Sequence, residues 1–233
     1  VYNSGSNIRK GYPHRSIFSI PFVGLNDEGI PQVINEKGEV TTTDINFQEY
    51  QNLGFLKYEG PTEPTMNGGL NNTLRYKNWR LNIFVTYSFG NKIRLDPTFS
   101  SSYSDMSAMP KEFKNRWVMP GDEKITSIPA IASVRQYYND TQLSFAYNSY
   151  NYSTERIADG GFIRLKDVSL TYDVPRSFLS KIGLSTAAIK LDATNLCLLY
   201  ADDKLNGQDP EFVNSGGVAT PLSKQFTLTV RLG

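Results

Sequence analysis

The chain has 233 residues, with 24 basic and 23 acidic side chains. This near balance speaks against nucleic acid or an anionic membrane surface as a partner. The longest apolar run, Leu196 to Ala201, falls far short of the roughly 20 residues that a membrane-spanning helix needs. A helical membrane protein is therefore excluded, whereas a β-barrel is not, because barrel strands are only half apolar.

Taken in chain order, the first candidate element is Ile17 to Val23, where Phe18, Ile20 and Phe22 are in phase. Pro21 lacks an N–H to donate, so this segment is an edge-like or extramembrane strand at best. From Met66 to Tyr76, Met66, Leu70, Leu74 and Tyr76 alternate with Asn67, Asn71, Thr73 and Arg75. The period of two places the two sets on opposite faces of a sheet. A tight Lys77-Asn78 turn leads into Trp79 to Phe89, the clearest segment of the chain. Its odd positions are Trp79, Leu81, Ile83, Val85, Tyr87 and Phe89; its even positions are Arg80, Asn82, Phe84, Thr86 and Ser88.

A strand near 162–174 sets Val168, Leu170, Tyr172 and Val174 against Asp167, Ser169, Thr171 and Asp173. A short link around Pro175-Arg176 and Gly183 joins it to a strand near 186–196, with Ile189 and Leu191 against Lys190, Asp192 and Thr194. The last segment sets Leu222, Phe226, Leu228, Val230 and Leu232 against Ser223, Gln225, Thr227, Thr229 and Arg231, with Lys224 near its outer end. Parity slips twice. Ile163 and Leu165 are odd where Val168 and Leu170 are even, and Leu196 and Leu198 break the phase of Ile189 and Leu191. Either bulges shift the register or these residues lie above the bilayer.

Alternation alone fits a soluble secreted β-sandwich, here a carbohydrate-binding module, whose polar face meets bulk water. Three features favour a membrane barrel. The longest runs reach about 9–11 residues, the length of a tilted membrane-crossing strand. Aromatics (Tyr76, Trp79, Tyr87, Phe89, Tyr172) stand at strand ends, where an interfacial girdle needs them. Short connections alternate with long ones near 23–65, 91–161 and 197–221, the pattern of periplasmic turns and extracellular loops.

Enzyme chemistry finds little support, and we expect no catalytic residues, no metal and no cofactor. His14 is the single histidine, and Cys197 is a lone cysteine beside leucines, better suited to a small buried or lipid-facing role than to a thiolate nucleophile. Asp202, Asn206 and Asp209 have oxygens suited to calcium, but a polar turn explains them more readily. In the longest loop, the tract Phe145 to Tyr152 carries Tyr147, Tyr150 and Tyr152 interleaved with Asn148 and Asn151. Tyrosine faces stack on sugars and asparagine amides bond hydroxyls, so these tyrosines are candidate substrate contacts. The same composition suits a docking surface for a protein partner, or a loop that packs its own aromatics.

Ordered motifs carry a resemblance over nearly the whole chain. They run from Gly11-Tyr12-Pro13 through Gly24-Leu25-Asn26 and Gly29-Ile30-Pro31 to Pro64-Thr65, Gly68-Gly69 and Asn71-Asn72-Thr73. Thr86-Tyr87-Ser88-Phe89-Gly90-Asn91-Lys92-Ile93, Asn115-Arg116-Trp117 and Pro120-Gly121-Asp122 follow. Most specific is Phe162-Ile163-Arg164-Leu165-Lys166-Asp167-Val168-Ser169-Leu170-Thr171-Tyr172-Asp173-Val174-Pro175. It continues to Lys181-Ile182-Gly183-Leu184, Ala193-Thr194-Asn195-Leu196 and Asp209-Pro210-Glu211. These stretches resemble the C-terminal part of the SusC/RagA family of TonB-linked outer-membrane transporters of the Bacteroidetes. One departure is the ending Arg231-Leu232-Gly233, where family members usually end in an aromatic residue.

The resemblance implies an all-β fold, the C-terminal portion of a 22-stranded transmembrane antiparallel barrel in the bacterial outer membrane. Residues 1–233 would supply about six strands and their long extracellular loops, with the plug and TonB box outside this chain. It implies import of glycans or peptides together with a SusD-like surface lipoprotein, driven by TonB. The barrel wall would then face the lumen with Arg80, Asn82, Thr86, Asp167, Thr171, Asp173, Lys190, Asp192, Gln225, Thr229 and Arg231, and would face outer-membrane lipid with the alternate residues.

Overall fold

The computed structural model describes residues 9–45, 53–101, 103, 109–213 and 222–233. Parts of each long connection therefore lie outside the described residues. The chain divides into two units, one of residues 1–63 and 92–159, the other of residues 64–91 and 160–233. In chain order the strands are β1 (Ser16–Ser19), β2 (Phe22–Leu25), β3 (Pro31–Ile34), β4 (Val40–Thr41), β5 (Lys57–Pro61), β6 (Met66–Tyr76), β7 (Trp79–Phe89), β8 (Lys92–Arg94), β9 (Ile157–Asp159), β10 (Phe162–Asp173), β11 (Ala187–Tyr200) and β12 (Gln225–Leu232).

The second unit is one antiparallel sheet of order β12-β11-β10-β7-β6. Its long strands have 11, 11, 12 and 14 residues from β6 to β11, and 8 in β12. Directly opposed residues in an antiparallel ladder share a face, so the register turns each strand's alternation into rows that cross the sheet. One row is Leu74–Leu81–Leu170–Leu191–Leu228; the next towards the short turns is Tyr76–Trp79–Tyr172–Ile189–Val230. On the other side of the leucines come Asn72–Ile83–Val168–Ala193–Phe226 and then Leu70–Val85–Leu165–Cys197.

The parity slips are bulges. Between Leu165 and Asp167, β10 carries one residue more than β7, and β11 one more than β10 across the Cys197–Thr194 step. Asn195 absorbs the irregularity at φ 54, the left-handed region that asparagine tolerates better than most residues. A further shift between Ile163 and Arg164 leaves Leu198 opposite Arg164, on the polar face. The bulges thus keep Leu165 and Val168 on one apolar face despite their unlike parity.

Turn chemistry fixes one end of this sheet. Lys77, at φ 52, and Asn78 close β6 onto β7, and the Asn78 side chain donates to the Asp173 carbonyl at 2.7 Å. After β10, Pro175 precedes helix α3 (Arg176–Leu179), and Gly183 at φ 74 ends the following 3-10 turn. At the opposite end Thr65 donates its N–H to Phe89, and Gly90 turns the chain at φ 91, where an added Cβ would collide with Thr65.

The first unit has its own core. β1 pairs with β5, β2, β3 and β4 form a meander, and β8 pairs with β9. The expected strand Ile17–Val23 breaks at Pro21 into parts of β1 and β2, and Phe18 and Ile20 are buried. Asn26 caps the β2–β3 hairpin by accepting the Ile30 N–H at 2.7 Å. Gly29, at φ 74, completes that turn, and any Cβ there would meet Trp117 at 2.5 Å. Helix α1 (Val134–Asn139) opens with a capping box between Ser133 and Gln136. Helix α2 (Leu143–Asn151) buries Leu143, Ala146, Tyr147 and Tyr150, the i, i+3, i+4, i+7 spacing of one helical face. That face packs with Ile30, Phe99 and Phe113, the two phenylalanine rings stacked at 4.8 Å.

Candidate functional site

The sheet presents two contrasting faces. On the apolar one, Leu70, Leu74, Leu191, Phe226, Leu228 and Val230 are all more than half exposed. Among the described residues no second protein layer covers them. Aromatics flank the aliphatic rows at both ends. Trp79 and Tyr172 lie 4.6 Å apart between centroids beside Tyr76, and Phe89 lies 6.0 Å from Tyr87 and 6.3 Å from Tyr200. Cys197 is exposed on this face, opposite Leu165.

The register gathers every expected wall residue on the other face. Arg75, Arg80, Thr171, Lys190 and Thr229 form one row, and Thr73, Asn82, Ser169, Asp192 and Thr227 the next. Asp167 and Gln225 lie one row further on, Thr86 beyond them opposite Arg164, and Asp173 and Arg231 flank Ala188 at the short-turn end. Arg80 donates to Asp173 at 3.3 Å, Lys190 approaches Asp192 at 3.2 Å, and Thr73 donates to Asn82 at 2.8 Å. Thr73, Arg75 and Ser169 share this face, as their parity within β6 and β10 implies, although they were not among the expected wall residues.

Sequence reasoning also missed an ion pair that ties the last loop to this face. Arg164 Nη2 donates to both oxygens of Asp209, at 2.6 and 2.7 Å, with Arg164 and Asp209 almost fully buried. Glu211 adds a contact at 3.3 Å, and Asp209 also accepts the Glu211 N–H. Two of the motifs that carry the family resemblance, one on β10 and one in the loop, thereby meet. Asp209 is committed to a guanidinium, so it does not join Asp202 and Asn206 around a cation. Asp202 instead caps its own turn, accepting the Lys204 N–H.

The tyrosine tract is a helix rather than an open loop. Tyr147 and Tyr150 are about 1 % exposed, so neither has a ring face left for a sugar, and self-packing accounts for both. Tyr147 donates to the Ala130 carbonyl at 2.8 Å, and the Tyr150 ring meets Phe99 edge-on at 4.8 Å. Burial pushes both phenols well above the usual tyrosine range. Tyr152, half-buried, packs beside a second core of Phe18, Ile20 and Val33, with the Arg94 guanidinium 5.3 Å from its ring. We expect Tyr147→Phe to cost about 0.5–1.5 kcal/mol, the worth of one hydrogen bond, read by chemical unfolding. An unchanged midpoint would mean that the Ala130 bond contributes nothing.

No family model matches the chain. Its curated relatives are TonB-dependent receptors, of which it is a homologue, and the family resemblance read from the motifs is borne out. TonB-dependent receptor P3 of Formosa agariphila is 29% identical over 178 residues, which is 76% of this chain and 15% of that protein. TonB-dependent receptor P26 of the same organism is 29% identical over 159 residues, or 67% of this chain and 14% of its own length. The fold matches the RagAB peptide importer in its 'closed-closed' state with a TM-score of 0.69 at 22% identity, over all of this chain and 24% of that one. The 'open-open' state gives 0.66 at 21%. The chain thus spans less than a quarter of the length of the proteins it matches.

Proposed function

We propose that this chain is part of the wall and outer rim of a TonB-dependent outer-membrane importer, acting by gated passage rather than catalysis. One observation carries the reading: a five-stranded apolar face, left exposed among the described residues and bounded at both ends by aromatics. From Trp79 to Phe89 the face spans ten residue steps, about 33 Å along the strand at about 3.3 Å each. At the usual barrel tilt of about 40° this becomes about 25 Å along the membrane normal, the height of the apolar band on such barrels. The opposite, polar face would line the lumen through Arg80, Asn82, Thr171, Asp192 and their neighbours.

Relatives named TonB-dependent receptors support the coupling to TonB. A structural neighbour that imports peptides supports a peptide cargo, with glycans the other class the family resemblance admits. Residues 1–63 and 92–159 fold around a core of their own, which supports a rim able to dock a SusD-like surface lipoprotein.

The test uses the full-length protein in lipid vesicles, stripped of native cysteines and given a fluorophore at Leu191→Cys or, separately, Lys190→Cys. Brominated acyl chains should quench the first label severalfold more than the second, and aqueous iodide should do the reverse. Iodide quenching of the Leu191→Cys label would sink the proposal.

A further inference from the structure

The connection from β11 to β12 turns onto the polar face of the sheet instead of standing clear of it. Arg164 follows Ile163, whose ladder partners are Tyr87 and Tyr200, so it lies level with the aromatic group farther from the short turns. Its own partners, Thr86 and Leu198, put its side chain on the opposite, polar face. A side chain on a sheet face is buried only where something lies over it, and Arg164 is 3 % exposed. What lies over it is the connection: Asp209, itself fully buried, accepts from Arg164 Nη2 on both carboxylate oxygens, at 2.6 and 2.7 Å. Protein from elsewhere in the full-length molecule can add to this cover without displacing the contact.

The connection has the build of a strap, not of a free arm. Asp202 caps its first turn, Asn206 and Gly207 reverse the chain at φ 53 and 86, and Gln208 donates its N–H to the Leu205 carbonyl at 2.9 Å. Asp209 closes a second turn, its carbonyl accepting the Phe212 N–H and its carboxylate the Glu211 N–H. Leu205 and Val213, on either side of Asp209 in sequence, are buried as well. A buried guanidinium–carboxylate pair is costly to open, because each ion would keep its desolvation without its partner. Such a fastening suits a fixed element better than a moving gate.

We propose that residues 202–213 are a fixed strap on the channel side of the wall, fastened by Arg164 and Asp209, that narrows the outer mouth of the path. The proposal rests on the polar face being the channel wall. Arg164 is a positioning residue here: it holds the turns down and need not touch cargo.

The full-length protein in lipid nanodiscs, without any lipoprotein partner and with native cysteines replaced by serine, would carry Asp203→Cys, an exposed position of the strap. The thiol is reacted with a short-linked biotin maleimide, and capture by streptavidin, a protein too bulky to enter a channel mouth, is then measured. In this parent the thiol should be biotinylated, and most of the biotin should escape capture until the protein is denatured. Adding Arg164→Met should raise capture severalfold. Arg164→Met with Asp209→Leu, which removes both buried charges together, should return it towards the parental level. Arg164→Lys, which keeps the charge but loses the planar fork, should fall between the two, and it decides alone if Arg164→Met does not assemble.

Full capture in the parent places the connection outside the mouth and overturns the strap. A thiol that the small reagent does not reach overturns it too, since other protein then fills the mouth. Capture that stays low in every variant overturns the role of Arg164 as the fastening. Failure of the channel-wall reading shows separately, as iodide quenching of the Leu191→Cys label.

Discussion

Replacing Leu170 by arginine is expected to cost about 2–4 kcal/mol and to remove most of the protein from the outer membrane. Leu170 sits at the centre of the leucine row, flanked by Leu81 and Leu191, and on the proposed reading its neighbours beyond the sheet are acyl chains. A guanidinium at that depth loses its hydration with no carboxylate to meet, and the penalty is largest at the bilayer midplane. Thr227→Arg, on the other face, exposed and opposite Asp192, should stay within about 0.5 kcal/mol, because an exposed position beside a carboxylate tolerates a cation. The measurement is equilibrium unfolding of the full-length protein in lipid or detergent, beside its abundance in isolated outer membranes. Equal losses for the two variants would mean that the faces do not differ in environment.

The second large effect belongs to Arg164. Arg164→Met leaves Asp209 buried beside an apolar side chain, and removal of one member of a buried pair costs about 3–5 kcal/mol. Arg164→Met combined with Asp209→Leu removes both charges from an enclosed site and should recover most of that loss, since a buried ion pair is often no better than a well-packed apolar one. Limited proteolysis around 202–213 supplies a local readout: the single variant should be cut faster than the parent, and the double variant at nearly the parental rate. A double variant as unstable as the single one would show that shape, not charge, holds the loop.

Much of the sheet was legible because its chemistry has the period of a strand. Leu81, Ile83 and Val85 alternate with Arg80, Asn82 and Thr86, so both faces of β7 follow from the order of residues alone. Rows were not legible, because opposition of Leu74, Leu81, Leu170, Leu191 and Leu228 depends on register between strands far apart in the chain. The parity slips at 165–168 and 193–198 were visible, yet a bulge and a strand leaving the bilayer give the same pattern; only the pairing at Asn195 separates them. Helix α2 was hidden by its composition. Its tyrosines and asparagines suggest a binding loop, while the spacing of Leu143, Ala146, Tyr147 and Tyr150 holds the helical signal. The short strands of the first unit, from 2 to 5 residues, carry too few positions for any period to show. Arg164 and Asp209 are 45 residues apart, and no local rule pairs them.

The strands β8 and β9 form a neck. Lys92 lies opposite Asp159 in their ladder, the two side chains meet at 3.0 Å, and Gly160 donates its N–H to Asn91. The excursion between them is long in sequence, but once the neck has zipped the ends of β7 and β10 are only a few residues from closure. Pairing of those two strands, nominally the slowest step in the sheet on grounds of sequence separation, then proceeds with the kinetics of a hairpin. The entropy of closing the excursion is spent in forming the neck, and the long sheet inherits its register from there.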